Sequence, residues 1–371
     1  MPELFKDFIR GNFYIPHKDS LKTGAKPRIE FIDLAKGVCI LLVILFHCKI
    51  YFPAAQAIRM PLYFILSGLF FKDYGGTLML IEKKINKLII PFCFFIIMGF
   101  GFHWYRIGAP DFEMFLKPFY QTLFPNFPIW FLLSLFWCNL IYCIICNNVN
   151  NFVYRLLIIG AIGITGYLLA ENHLYVSLYL ASSFTALPFF FIGVLLRKLP
   201  LLYPHKHDYY FILGGIAVFG LCIYLTVLYG TPHIDFMPNK FVGNPGIIYL
   251  LSISLVVSLL LVCKAIRWLP VVSYLGRYSI ILLGLHGAII QHIVTLYLRN
   301  FKVWPEKYLL FSITLFVCWI CIPFLIKYAA KFTAQKDWVK LSRVQKNDPA
   351  GKDSVAFASI ASETENNSTD E

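Results

Sequence analysis

Three basic side chains sit inside or at the rims of apolar segments early in this 371-residue chain: Lys36, His47 and Arg59. An ionisable residue at the middle of a membrane helix costs at least about 2.5 to 3.5 kcal/mol on insertion scales, so it marks a functional site by default. Lys36 and His47 are eleven residues apart in FIDLAKGVCILLVILFHCK. On a helix that spacing is three turns plus about 20°, with a rise near 16 Å, so the two share one face at two depths. Imidazole accepts and returns a proton around neutrality, and Lys36 and Arg59 offer fixed positive charge to an anion. Arg59 follows His47 by twelve residues across a short turn, which brings the two together near one end of a helical bundle. The bland alternative has Lys36 snorkelling to headgroups and His47 as a boundary residue beside Lys49.

The elements that must position these residues follow from composition. The chain is 58% hydrophobic, only 14% charged, and holds 36 Phe, against about 25% charged in an ordinary soluble domain. Its apolar residues come in blocks close to the roughly 20 residues that cross a hydrocarbon core. Ten spans are expected: 34–52, 57–71, 85–102, 128–146, 152–170, 176–196, 210–229, 246–263, 278–298 and 308–326. The fold class is therefore an all-α integral membrane bundle. With the N-terminus cytoplasmic, the inner segments and their helix margins hold 24 of the 33 Lys and Arg residues, the bias of the positive-inside rule, which puts both termini inside. The second span is short for a crossing, and the alternation of charge requires it. Residues 1–33 form a cytoplasmic segment without a signal-peptide pattern, 34–326 the membrane domain, and 327–371 a cytoplasmic tail, disordered beyond about 345 on its polar composition. The cytoplasmic or inner membrane is the expected location.

The net charge of +13 is scattered over short loops and forms no stripe for nucleic acid. Ten cysteines fall almost all within apolar helices and read as small hydrophobes. Cys143 with Cys146 and Cys318 with Cys321 are CxxC in form, without partners for a zinc shell, so no metal is expected. The aromatic outer loop from His103 to Phe127, with Pro110, Pro118 and Pro125, is either a lid over an outer cavity or a plain connection. His103, His173, His205, His207 and His233 read as solvent-exposed loop residues.

RIEFIDLAKGVCILLVILFH, then RMPLYFILSGLFF, then EKKINKLIIPF, resembles the start of the acyltransferase 3 family of membrane O-acyltransferases. That family has a basic residue, ten intervening residues and a His in its first span, then a segment ending in FF-x-x-SG. Lys36, His47, Arg59, Ser67 and Gly68 occupy those places. PIWFLLSLF at 128–136, LPFFFIGVLL at 187–196 and YSIILLGLH at 278–286 are similar to later landmarks, so the resemblance spans most of 28–326. The combination of Lys36 with MPLYFILSG is similar to the branch that acetylates sugars. Many members carry Arg where this chain has Lys36, which replaces a guanidinium fork by a point charge. Some members also carry a hydrolase-like domain after the last span, where this chain has a short tail, so the membrane core is expected to handle the acceptor.

The resemblance implies transfer of an acyl group, acetyl above all, from cytoplasmic acyl-CoA to a hydroxyl of an envelope glycan or lipid-linked sugar, with no bound cofactor and acetyl-CoA as donor substrate. Such chemistry needs a base for the hydroxyl, donors for the oxyanion and positive charge for the phosphates of coenzyme A. His47 is the expected base or transient acyl carrier, Lys36 the donor-side cation, and Arg59 the group steadying oxyanionic charge. Ser67 lines the donor path or bonds the basic pair; with Gly68 it alternatively forms a small-residue helix contact. Asp33 caps the first span or orients a basic neighbour, capping being preferred. Trp130 is a supporting residue or an interfacial anchor, and His286 either a site residue or a helix-to-helix hydrogen bond. The rival classes are a multi-pass transporter, since buried charges also mark translocation routes, and a scaffold without chemistry.

Overall fold

The computed structural model describes residues 29–339 apart from 73, 108–115, 117–127, 200, 201 and 203–207. Most of the N-terminal segment, the Pro-rich loop expected as a lid, the tail beyond 339, His205, His207 and the side chain of His103 lie outside the described residues.

Every expected span is helical. The helices are α1 (Glu30–His47), α2 (Ala55–Leu69), α3 (Thr77–Lys84) running through a π-helical turn Ile85–Ile89 into α4 (Ile90–Ile107), α5 (Trp130–Asn148), α6 (Phe152–Glu171), α7 (Leu180–Leu196), α8 (Asp208–Tyr229), α9 (Pro245–Ile266), the short α10 (Val272–Arg277), α11 (Ser279–Phe301) and α12 (Lys307–Tyr328). Among the described residues, eight helical segments are long and apolar enough to cross a membrane. The chain is a multi-pass membrane protein.

The two spans that miss that standard are α1 and α2, which carry Lys36, His47 and Arg59. Helix α1 holds Glu30, Asp33 and Lys36 in its first two turns. Helix α2 has 15 residues, about 22 Å of helix, against a core of about 30 Å. Both are enclosed rather than bathed in lipid: α1 packs on α2, α9, α10 and α11, and α2 on α1, α7 and α9. Protein, not lipid, is their solvent, and that lifts the demand for length and apolarity. The outer shell shows the opposite pattern. Helix α6 buries only Ile159, Gly163 and Gly166, and α8 only Gly215, Cys222 and Thr226, along 20 and 22 residues.

Small residues set the central crossings. A Cβ at Gly68 would land on the Phe190 carbonyl, and one at Gly193 on the Ile65 carbonyl, so α2 and α7 touch backbone to backbone. Gly37 and Gly276 do the same between α1 and α10, against Val272 and Asp33. Such close approach is how helices associate where lipid removes the hydrophobic drive.

Four features had no counterpart in the expected spans: α3, α10, a hairpin, and a docked segment after α12. The hairpin pairs β1 (His233–Asp235) with β2 (Lys240–Val242), Asp235 opposite Lys240. Its His233 is partly buried, with Nδ1 2.8 Å from the Thr231 carbonyl, which corrects the expectation of a solvent-exposed loop histidine. After α12 the chain folds back onto the π turn. There the buried Asn86 accepts from the Trp338 and Val339 amides at 2.9 Å each and donates to the Val339 carbonyl at 3.0 Å, while Lys87 pairs with Asp337 at 2.9 Å.

Candidate active site

Helix α1 delivers both of its candidate residues without a break, so the rise of about 16 Å between Lys36 and His47 holds. At the His47 end, α11 supplies the partner. The rings of His47 and His286 lie 5.1 Å apart, tilted by 52°. His286 is fully buried. Its Nδ1 lies 2.8 Å from the Leu282 carbonyl; a carbonyl only accepts, so Nδ1 carries the hydrogen and Nε2 keeps a lone pair. That Nε2 has no hydrogen-bond partner. A buried unpaired acceptor is costly, and the other polar ring in contact with it is His47. In the sequence His286 stood apart from any charge; the fold sets it beside the primary candidate.

Arg59, on α2, lays its guanidinium over the Phe46 ring at 3.5 Å. The contact holds a positive charge one residue from His47, within electrostatic range of its ring. Arg59 and His47 are thus neighbours through Phe46. Asp235 of the hairpin lies within electrostatic range of Arg59. The Arg59 carbonyl accepts from Cys39 Sγ at 2.8 Å, which ties α2 to α1 at this level.

The turn between α1 and α2 is pinned. Lys49 and Ala54 both adopt left-handed backbone, φ 62° and 64°, unusual for residues with a Cβ. Lys49 Nζ rests 3.7 Å from the Trp304 ring centroid, and the Ala54 amide donates to Thr231 Oγ1 at 3.1 Å. Strained backbone persists where surrounding contacts over-determine it.

At the Lys36 end the arrangement is ionic. Asp33 is in the first turn of α1, whose N-cap is Ile29 with no side-chain cap. The expected capping role is corrected: Asp33 takes Lys36 on one oxygen and Arg277 of α10 on the other, at 3.9 Å each. Lys36 Nζ also lies 5.8 Å from the Phe70 ring centroid at the end of α2, and Arg197 Nη1 donates to the Phe71 carbonyl at 2.5 Å. Arg277 and Arg197 thus join this end. Sequence reasoning missed both; the available signal was their position, each at the margin of a landmark segment.

The remaining candidates separate. Ser67 accepts from Asn139 Nδ2 at 3.1 Å and Gly68 makes the α2–α7 backbone contact, so in this structure both sit in helix packing. Trp130 is buried at the start of α5, with its ring against Phe131 and Tyr179, away from the histidine pair's own ring contacts.

The bundle therefore holds a buried imidazole pair and a guanidinium at one end of α1 and an Asp–Lys–Arg group at the other. A family model described as an acyltransferase domain, that of the acyltransferase 3 family, matches residues 29–328. No curated protein matches the chain, and no solved structure does. The matched stretch takes in both ends of α1, α2, the hairpin and α11, and on that match the chain belongs to the acyltransferase 3 family of membrane acyltransferases.

Proposed function

We propose that this acyltransferase moves an acetyl group from cytoplasmic acetyl-CoA to a hydroxyl of an envelope sugar or polysaccharide, with the reaction at the His47 end of α1. The observation that carries the reading is the His47–His286 contact beside Arg59. We assign the Lys36 end to the cytoplasm on the excess of Lys and Arg in the segments that the sequence puts inside, and there Lys36 and Arg277 offer cations to the phosphates of coenzyme A. Its thioester has to be brought along α1 to His47.

There the sugar oxygen attacks the thioester carbonyl carbon as His47 takes the hydroxyl proton. Arg59 faces the tetrahedral oxyanion. Collapse breaks the carbon–sulfur bond, and the proton held by His47 goes to the departing sulfur, so the products are the sugar ester and free coenzyme A. His286 is assigned a positioning role: its Nε2 lone pair, unpartnered in this structure on the ring beside His47, is the acceptor that takes the far N–H of His47 once the two rings turn toward each other in the reacting complex, which fixes the nitrogen that meets the hydroxyl, the role of the orienting member of a catalytic triad.

The test is acetyl ester on envelope glycans from cells expressing the protein or its His47→Ala variant, read by mass. A general base contributes about 10²- to 10⁴-fold, so the variant is expected to leave the glycans essentially unacetylated. Equal acetylation sinks the assignment. Purified protein that ignores acetyl-CoA in a binding assay moves the reading to a transporter.

A further inference from the structure

We propose that the cavity between the hairpin tip and the α6–α7 turn is a subsite for a sugar unit of the acceptor other than the one acylated. The inference rests on the acyl-transfer reading and adds to it where the acceptor is held.

The hairpin is re-entrant. Thr231 meets Ala54 at the start of α2, whereas Phe236 packs on Phe64, ring centroids 5.4 Å apart, about 14 Å further along that helix. Non-helical backbone at such depth is tolerated where it is buried in protein or lines a water-filled cavity. Asn239 anchors the tip, donating to the Gly166 carbonyl at 3.0 Å and accepting from Thr185 Oγ1 at 2.9 Å.

Beside that anchor lies a cavity of about 220 Å³, lined among others by His173, Tyr175, Ser182, Asn239 and Lys240. Pockets for drug-sized ligands begin near 300 Å³, so this volume suits one sugar ring and excludes coenzyme A as a whole. Tyr175 gives an apolar face with a hydroxyl, and Lys240 gives donors for hydroxyls or a carboxylate. Asn239 has its own side chain committed and contributes shape.

The cavity is also connected to the reaction site. Asp235 and Lys240 are cross-strand partners, so their side chains share one face of the hairpin. Lys240 lines the cavity, and Asp235 lies within electrostatic range of Arg59, without an ion pair to it. One hairpin thus leads from the cavity toward the guanidinium beside His47, at the end of the bundle where the acceptor arrives. A glycan of several units reaches both; a single sugar does not.

Full-length protein in nanodiscs is to be assayed with acetyl-CoA and two probes, de-O-acetylated oligosaccharides from the host envelope and the corresponding free monosaccharide. Tyr175 and Lys240 are exposed, so Tyr175→Ala and Lys240→Ala leave packing intact. Each is expected to raise KM for the oligosaccharide at least tenfold, with kcat, KM for acetyl-CoA and turnover of the monosaccharide unchanged. An unchanged oligosaccharide KM in both variants overturns the subsite. Calorimetric binding of the oligosaccharides without acetyl-CoA separates the two levels: binding weakened by the variants supports the subsite even if no transfer occurs, and binding equal to wild type overturns it.

Discussion

The chemistry proposed for this protein turns on one buried lone pair. His286 Nδ1–H is used by the Leu282 carbonyl, which leaves Nε2 without a partner in a fully buried ring. If that atom orients His47, what matters at position 286 is an acceptor at the right reach. His286→Gln is then expected to keep much of kcat, because its amide oxygen reaches about where Nε2 stands, and His286→Leu to lose about tenfold or more with KM for both substrates unchanged. A residue that only fills space gives the reverse order, since Leu packs better than Gln at an apolar site. Nitrogen-15 spectra of histidine-labelled protein offer a readout independent of turnover: a single tautomer of His47 in the wild type and a mixture in His286→Leu.

At the scale of elements, the site depends on helices brought closer than ordinary side chains allow. The α2–α7 crossing rests on Gly68 and Gly193, whose added Cβ atoms would meet carbonyl groups that cannot move aside. Overpacking of this kind costs about 1–3 kcal/mol. Gly68→Ala is therefore expected to lower the thermal midpoint of detergent-solubilised protein. Gly220→Ala, where nothing lies within 4 Å, is expected to hold or raise it, because Ala is the better helix former. Equal midpoints for the two would contradict the crossing. Ser67 could be read from the sequence either as a site residue or as a helix contact, and the structure bonds it to Asn139 of α5.

For the whole molecule, the distribution of charge is the ground for the proposed orientation. The segment 329–339 folds onto the π turn through Asn86 and Lys87, the same end of the bundle as Lys36. A reporter fused after residue 371 is expected to signal the cytoplasm: a fluorescent protein there lights up and a periplasmic phosphatase stays inactive. The opposite result reverses the donor and acceptor ends of α1.

The sequence by itself determined the solvent, the helical character of the expected spans and the placement of Lys36 and His47 on one helix face. Each follows from local rules, hydropathy over a window and 100° per residue, that need no knowledge of neighbours. The same local rules expected Asp33 to cap a helix and His233 to be a loop residue in water. They were wrong because Arg277 folds against Asp33 from far along the chain, and because His233 is taken into a hairpin strand with Nδ1 against the Thr231 carbonyl. Only the tertiary structure decided that His286 stands beside His47, that Arg59 reaches His47 over Phe46, and that Lys240 and Asp235 share a face above α2. Those are contacts between helices that arrive next to one another by packing, and a chain of apolar segments carries no local mark of which faces will meet.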